Sequence, residues 1–286
     1  MSAVPLAQRF ANLVRFEHTV FALPYAYVGA ILAVGGWPGI SALGWITVAM
    51  FGARSFAMAV NRLVDAAIDA RNPRTAGREL PAGRLRRGQV VAFALVSLLV
   101  FVAGVSQLAP ITRWLAPVVI VPMLIYPYLK RYTPFCHLWL GAVDGLAPVG
   151  GWVAVTGHFD LAAWLLGAAV ACWIAGFDVI YATMDIDVDR AQGLHSIPAD
   201  FGIARALQVS RVLHALSVVA LAGVGLSLGL GPAYAIGVVA VALLLAYEQQ
   251  LVSPTDLSRV NMAFLNVNGV IALLYLGAVS LDVALS

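Results

Sequence analysis

Residues 41–69 read SALGWITVAMFGARSFAMAVNRLVDAAID, and the fold is decided by how this stretch is read. From 41 to 64 it is apolar for long enough to cross a hydrocarbon core, which takes roughly 20 residues of helix. The run then carries Asn61, Asp65 and Asp69, whose spacings of four put three oxygen-bearing side chains on one helix face. Arg54 and Met58 extend that face deeper. A charge at membrane depth costs roughly 2.5–3.5 kcal/mol on insertion scales, so such groups are functional candidates.

The rest of the chain has the same character. Of its 286 residues, 62% are apolar and 11% charged, and the mean hydropathy is +0.90. A soluble domain carries about 25% charged residues. Apolar stretches fall at about 18–35, 41–64, 88–108, 113–129, 134–156, 161–186, 204–229, 232–250 and 260–282. The expectation is an all-α polytopic membrane protein of about nine transmembrane helices, forming one domain over residues 1–286. Pro24, Pro117, Pro122 and the glycines of 145–151 punctuate these spans, as lipid-buried helices tolerate. The first span follows Arg9 and Arg15 without a convincing cleavage site and is expected to be a retained helix. Cys136 and Cys172 fall inside spans, with no disulfide framework or Cys/His metal spacing around them.

Basic residues set the expected orientation. Arg71, Arg74, Arg78, Arg84, Arg86 and Arg87 follow the second span, Lys130 and Arg131 the fourth, Arg190 and Arg205 the sixth, and Arg259 the eighth. Arg9 and Arg15 precede the first, and the opposite loops carry only Arg113. Basic loops stay cytoplasmic, which places the N-terminus inside and the C-terminus outside. The net charge of +3 needs no nucleic-acid partner.

A second acidic stripe ends the sixth span: Asp178, Tyr181, Asp185 and Asp189. Asp187 lies roughly 200° around the helix from Asp185, so it reads, with Asp200, as a solvated group. Hard cations such as Mg²⁺ take oxygen ligands, commonly one or two carboxylates together with substrate phosphates. Neither stripe holds a His, which argues against zinc or copper. The stripes lie four spans apart with the same direction, which suggests two four-helix repeats plus a ninth helix around a central cavity. A plainer reading also exists, in which the carboxylates end their helices and pair with loop arginines. Arg74 and Arg78 are candidate anion contacts, because arginine offers a bidentate fork for phosphate. Lys130 and Arg131 either close the same pocket or, with Tyr128 and Tyr132, anchor the interface. Glu17, His18, Asp144, Asn266 and Asn268 are further polar residues within spans. For Asp144, pocket lining and a structural hydrogen bond remain open.

The pattern Asn61-x₃-Asp65-x₃-Asp69 with Asp185-x₃-Asp189 resembles the UbiA prenyltransferase superfamily. The likeness extends over nearly the whole chain: nine spans, both motifs in order and a Lys-Arg pair after the fourth. The segments 16–24 (FEHTVFALP), 71–78 (RNPRTAGR) and 193–198 (GLHSIP) look like the bacterial 4-hydroxybenzoate polyprenyltransferase-like branch, much of which is associated with menaquinone made through futalosine. The resemblance implies a cavity open laterally to lipid and capped by cytoplasmic loops in the bacterial inner membrane. It also implies a polyprenyl diphosphate donor and an aromatic acid acceptor, a 4-hydroxybenzoate or a dihydroxynaphthoate. On that reading Asp65, Asp69, Asp185 and Asp189 hold Mg²⁺, and Asn61 and Asp178 support it directly or through a neighbouring group. Arg74, Arg78, Lys130 and Arg131 then neutralise the diphosphate, Tyr181 offers its ring face to the allylic cation, and Arg54 meets the acceptor's carboxylate. Asp65, Asp185 and Tyr181 are the expected catalytic residues. Two rivals stand beside it: a superfamily member with a haem, chlorophyll-precursor or glycerol phosphate lipid acceptor, and a secondary transporter, which also uses repeats and buried carboxylates.

Overall fold

The computed structural model describes residues 5–14 and 16–286, without the side chains of 16–22, 264 and 265. Glu17 and His18 therefore lie outside the described side chains. Every regular element described is a helix: α1 (Leu6–Val14), α2 (Phe16–Val34), α3 (Ile40–Asp69), α4 (Arg87–Ser106), α5 (Ile111–Leu129), α6 (Cys136–Thr156), α7 (Leu161–Ala182), α8 (Ile186–Ala191), α9 (Ile197–Phe201), α10 (Ile203–Leu228), α11 (Pro232–Gln250), α12 (Val260–Met262) and α13 (Asn268–Leu285). Eight helical runs among the described residues are long and apolar enough to cross a membrane. The expected first span lies in α2, whose apolar part Leu23–Val34 is shorter. The count is thus eight plus this shorter segment, where the sequence led us to expect about nine. Leucines such as Leu99, Leu226 and Leu243 point outward, as a lipid-facing belt requires.

Each half of the chain is built around its acidic helix. In the first half α3 packs most extensively on α4; in the second, α7 packs on α10 and α6. The halves meet where α2 lies along α6, and α13 closes against α2 and α11. This arrangement matches the two expected four-helix units.

Small residues bring the key helices close, as lipid offers no hydrophobic drive for helix association. A Cβ added at Gly52 would lie 2.4 Å from the Phe101 nitrogen, so α3 and α4 touch backbone to backbone. Gly141 and Gly145 of α6 face the carbonyl oxygens of Ala171 and Gly167 in the same way, and a Cβ on Gly141 would come within 2.2 Å of the first.

Three helix ends depart from the hydrophobic pattern. Helix α3 continues five residues beyond the apolar stretch, through the whole first stripe to Asp69. Helix α7 stops at Ala182, and Thr183–Asp185 tightens into a 3₁₀ turn before α8. The Thr183 hydroxyl donates back to the Ile180 carbonyl at 2.7 Å, competing with the helical ladder there. The last span opens with the short α12 and a π-helical turn, Ala263–Val267, which delivers Asn268 to the interior.

Candidate active site

An apolar cavity of about 380 Å³ has Asn61, Arg78, Asp178 and Tyr181 in its wall, and the two acidic stripes sit behind these: Arg78 pairs with Asp69, and Tyr181 shares Arg74 with Asp185. Asp65 and Asp69 come from α3, Asp185 from the 3₁₀ turn and Asp189 from α8. The loop between α3 and α4 folds over them through consecutive turns, and its arginines reach both stripes.

Each stripe carboxylate has specific partners. Asp65, whose side chain is 3% exposed, accepts from Lys130 Nζ at 2.6 Å, Arg131 Nη2 at 3.3 Å and Asn61 Nδ2 at 3.2 Å. Arg78 Nη1 donates to both oxygens of Asp69 at 2.7 Å. Arg74 grips Asp185 with a bidentate fork through Nε and Nη2, and Asn72 Nδ2 adds a third donor at 2.9 Å. Asp189 accepts from the Ser196 hydroxyl at 3.2 Å. Burial by itself would lower the Arg74 pKa. The hydrogen bond to Asp185 and the charges of Asp185 and Asp69 outweigh that and hold it above the ordinary arginine value.

The pairing that the plainer reading expected is therefore present. Asp69 and Asp189 have local partners, but those of Asp185 and Asp65 come from far along the chain: Arg74 reaches across 111 residues and Lys130 across 65. Carboxylates that merely ended their helices would find local partners or water. Here, both stripes and both basic segments meet at one place.

Other expected residues line the cavity below this cluster. Asn61, Arg54, Asp144, Asp178 and Tyr181 are all in its wall. Arg54 Nη1 stands 4.0 Å from Asp144 Oδ1, which gives Asp144 an ionic partner inside the pocket. Asp178 lies seven residues before Asp185, roughly 10 Å deeper along the helix. It accepts from His137 Nδ1 at 2.7 Å rather than joining the outer carboxylates. The Tyr181 ring face, expected to meet a cation, carries the Arg74 guanidinium 5.0 Å from its centroid, and its hydroxyl accepts from Arg74 Nη1 at 2.7 Å. Asp187 is exposed, as its angular position indicates.

For a divalent cation the donor set fits. The outer side chains offer carboxylate and amide oxygens only. Among the described residues no three of His, Cys, Asp or Glu gather into a closed ligand group. A hard cation shared with substrate phosphates needs just such an open set of one or two carboxylates.

Three polar residues of this region were not singled out in the sequence. Asn72 looked like a loop residue before Pro73, His137 like an interfacial group opening the fifth span, and Glu248 like the polar end of the eighth. Glu248 is fully buried, with Asn268 Nδ2 donating to it at 3.2 Å while Asn268 Oδ1 accepts from Trp173 at 2.7 Å. His137 precedes Gly141 and Gly145 at spacings of four, but that these glycines pack against α7 is seen only in the structure.

A helical membrane body with an apolar cavity, capped by opposed carboxylates and arginines, defines an intramembrane enzyme for substrates with an anionic head and an apolar tail. The chain belongs to the UbiA prenyltransferase family, whose model matches residues 22–270. It is 33% identical over 279 residues to a protein named 4-hydroxybenzoate octaprenyltransferase from Marinobacter nauticus, covering 96% of this chain and 94% of that one. A relative of the same name from Xanthomonas campestris pv. campestris is 34% identical over 250 residues, 86% and 81% of the two chains. Among solved structures, a UbiA homolog from Aeropyrum pernix K1 superposes with a TM-score of 0.85 at 35% identity, over 93% of this chain and 98% of that chain. A UbiA homolog from Archaeoglobus fulgidus bound to GPP and Mg²⁺ shares the fold at a TM-score of 0.72 and 18% identity, over 96% and 99%. Family and relatives together make this enzyme an aromatic prenyltransferase.

Proposed function

We propose that this enzyme transfers a polyprenyl group from its diphosphate to an aromatic acid of the 4-hydroxybenzoate or dihydroxynaphthoate kind, in quinone biosynthesis at the bacterial inner membrane. The observation that carries the reading is the meeting of two carboxylate stripes and four basic side chains at the mouth of an apolar cavity. The curated relatives are named for 4-hydroxybenzoate, which favours the benzoate over the naphthoate acceptor. The Archaeoglobus homolog holds GPP together with Mg²⁺, which supports a magnesium-dependent donor site.

Asp65, Asp69, Asp185 and Asp189 would hold Mg²⁺, with Asn61 in support. Bound there, the metal supplies charge neutralisation for the leaving group. Arg74, Arg78, Lys130 and Arg131 exchange their carboxylate partners for diphosphate oxygens and stabilise the negative charge that develops as the C–O bond breaks. The apolar wall keeps water from the allylic cation, and Tyr181, once Arg74 turns to the diphosphate, presents its ring face to that cation. Arg54, within the same cavity, takes the carboxylate of the acceptor. The basic loops support a mouth on the cytoplasmic side, where a charged head group would enter from water while its tail stays in lipid.

The test incubates membranes containing the protein with labelled prenyl diphosphate, Mg²⁺ and either 4-hydroxybenzoate or dihydroxynaphthoate. Prenylated benzoate is the expected product. Product from the naphthoate alone moves the enzyme to the other pathway, and no product from either overturns the acceptor class.

A further inference from the structure

His137 has no place in the account so far, yet it is buried behind the cavity wall, directly against the wall residue Asp178. It opens α6, is 4% exposed, and its Nδ1 lies 2.7 Å from Asp178 Oδ2. With the carboxylate ionised, Nδ1 carries the proton and donates it. The other ring nitrogen, Nε2, is buried without a hydrogen bond, so the carboxylate sets the orientation of the ring. The register of this pair is fixed by backbone contact. Gly141 and Gly145, one and two turns further along α6, lie directly against Ala171 and Gly167 on the antiparallel α7. That seam leaves α6 no freedom to slide, and it brings His137 opposite Asp178.

Asp178 differs from the outer carboxylates in position and in partner. It lines the cavity together with Arg54, Asp144 and Tyr181, and its ion-pair partner is His137 rather than a loop arginine. One oxygen is held by His137 and the side chain keeps 18% exposure; among the described residues no hydrogen bond reaches the other oxygen. A carboxylate clamped on one side and open on the other is arranged to accept something from a molecule in the cavity.

We propose that His137 is a positioning residue that aims Asp178 at the aromatic acceptor, and that Asp178 takes the ring proton released on prenylation. This rests on the aromatic-transfer reading above. The acceptor's ring carbon forms a bond to C1 of the prenyl group as the C1–O bond breaks and its electron pair leaves on the diphosphate. The C–H bond at that ring carbon then breaks. Its pair restores the aromatic ring, and the proton passes to the oxygen of Asp178 that His137 does not hold. By donating to the second oxygen, His137 fixes the direction of the Asp178 carboxylate. Without it the carboxylate turns toward Arg54 and away from the ring.

The experiment uses the purified full-length protein with prenyl diphosphate, Mg²⁺ and 4-hydroxybenzoate, either unlabelled or deuterated at the ring position that is substituted. His137→Leu is expected to lower kcat by about 100-fold, within the range of a general-base contribution. The loss falls in kcat and not in the KM for prenyl diphosphate, and a ring-deuterium isotope effect appears that the native enzyme does not show. His137→Asn places an amide N–H where Nδ1 was and recovers most of the rate; His137→Gln places it at the Nε2 position and does not. If His137→Leu fails to accumulate, the order of the Asn and Gln variants decides. Equal rates in those two, an absent isotope effect, or a defect confined to the KM for prenyl diphosphate overturns the proposal and leaves the aromatic-transfer reading intact. Native enzyme that consumes prenyl diphosphate without prenylating the ring overturns both.

Discussion

At the scale of single residues, the site is a set of ion pairs waiting to change partners. Asp65 is nearly sealed from solvent by Lys130 and Arg131, and Asp185 is held half-buried by Arg74 and Asn72. A buried charge needs its partner: removing one side of such a pair costs about 3–5 kcal/mol. Arrival of a magnesium diphosphate offers both members a replacement at once, which keeps the exchange affordable. Replacing Asp65 or Asp185 by alanine should therefore lower prenyl transfer by about 100-fold or more, while membrane-inserted protein still accumulates. Full activity in either variant contradicts the assignment. Lys130→Met should raise the KM for prenyl diphosphate by about tenfold, the worth of one charge-assisted hydrogen bond, with kcat less affected. Chelating Mg²⁺ should stop product formation in the native enzyme, and adding the metal back should restore it. The acidic pattern at 61–69 and 185–189 was readable because carboxylates at membrane depth are costly and therefore rare. His137 was not, since one histidine at the start of an apolar span looks the same whether it meets lipid headgroups or a carboxylate.

At the scale of elements, helix-to-helix distance does the positioning. The α6–α7 seam brings Arg54's partner Asp144 to the cavity wall and sets His137 against Asp178. Gly141→Val pushes a side chain against the Ala171 carbonyl, and overpacking of this kind costs about 1–3 kcal/mol. The expected result is a lower unfolding temperature in detergent and less folded protein. Gly277→Ala, with nothing within 4 Å of its added Cβ, should leave both unchanged. Hydropathy located these helices to within a few residues because lipid demands about the same apolar length of each. It could not show where α7 tightens into a 3₁₀ turn or where the last span opens through a π turn. Those features depend on a threonine back-bond and on the burial of Asn268 against Glu248 and Trp173, and neither alters the apolar pattern.

At the scale of the whole molecule, the two halves form opposite walls of one cavity, each contributing one acidic helix. The charged mouth should face the cytoplasm. In a variant with Cys136 and Cys172 replaced by alanine, a cysteine at Ala82 should react with an impermeant thiol reagent only when the cytoplasmic face is exposed. A cysteine at Gly36 should react from the other side. The reverse pattern would invert the topology argued from the basic loops. The sequence by itself determined that the chain is a helical membrane protein, that it belongs with the prenyl-transferring enzymes, and which carboxylates form the stripes. The first and the last follow from period, apolar length and the cost of charge in lipid, all of them local properties; the second follows from the likeness of both motifs to a known family. Only the tertiary structure decided which arginine meets which aspartate, that Asp178 stands apart with His137, and that Asp144 faces Arg54. Such contacts join residues far apart in the chain, and their geometry is set by how closely the helices pack, which no local pattern records.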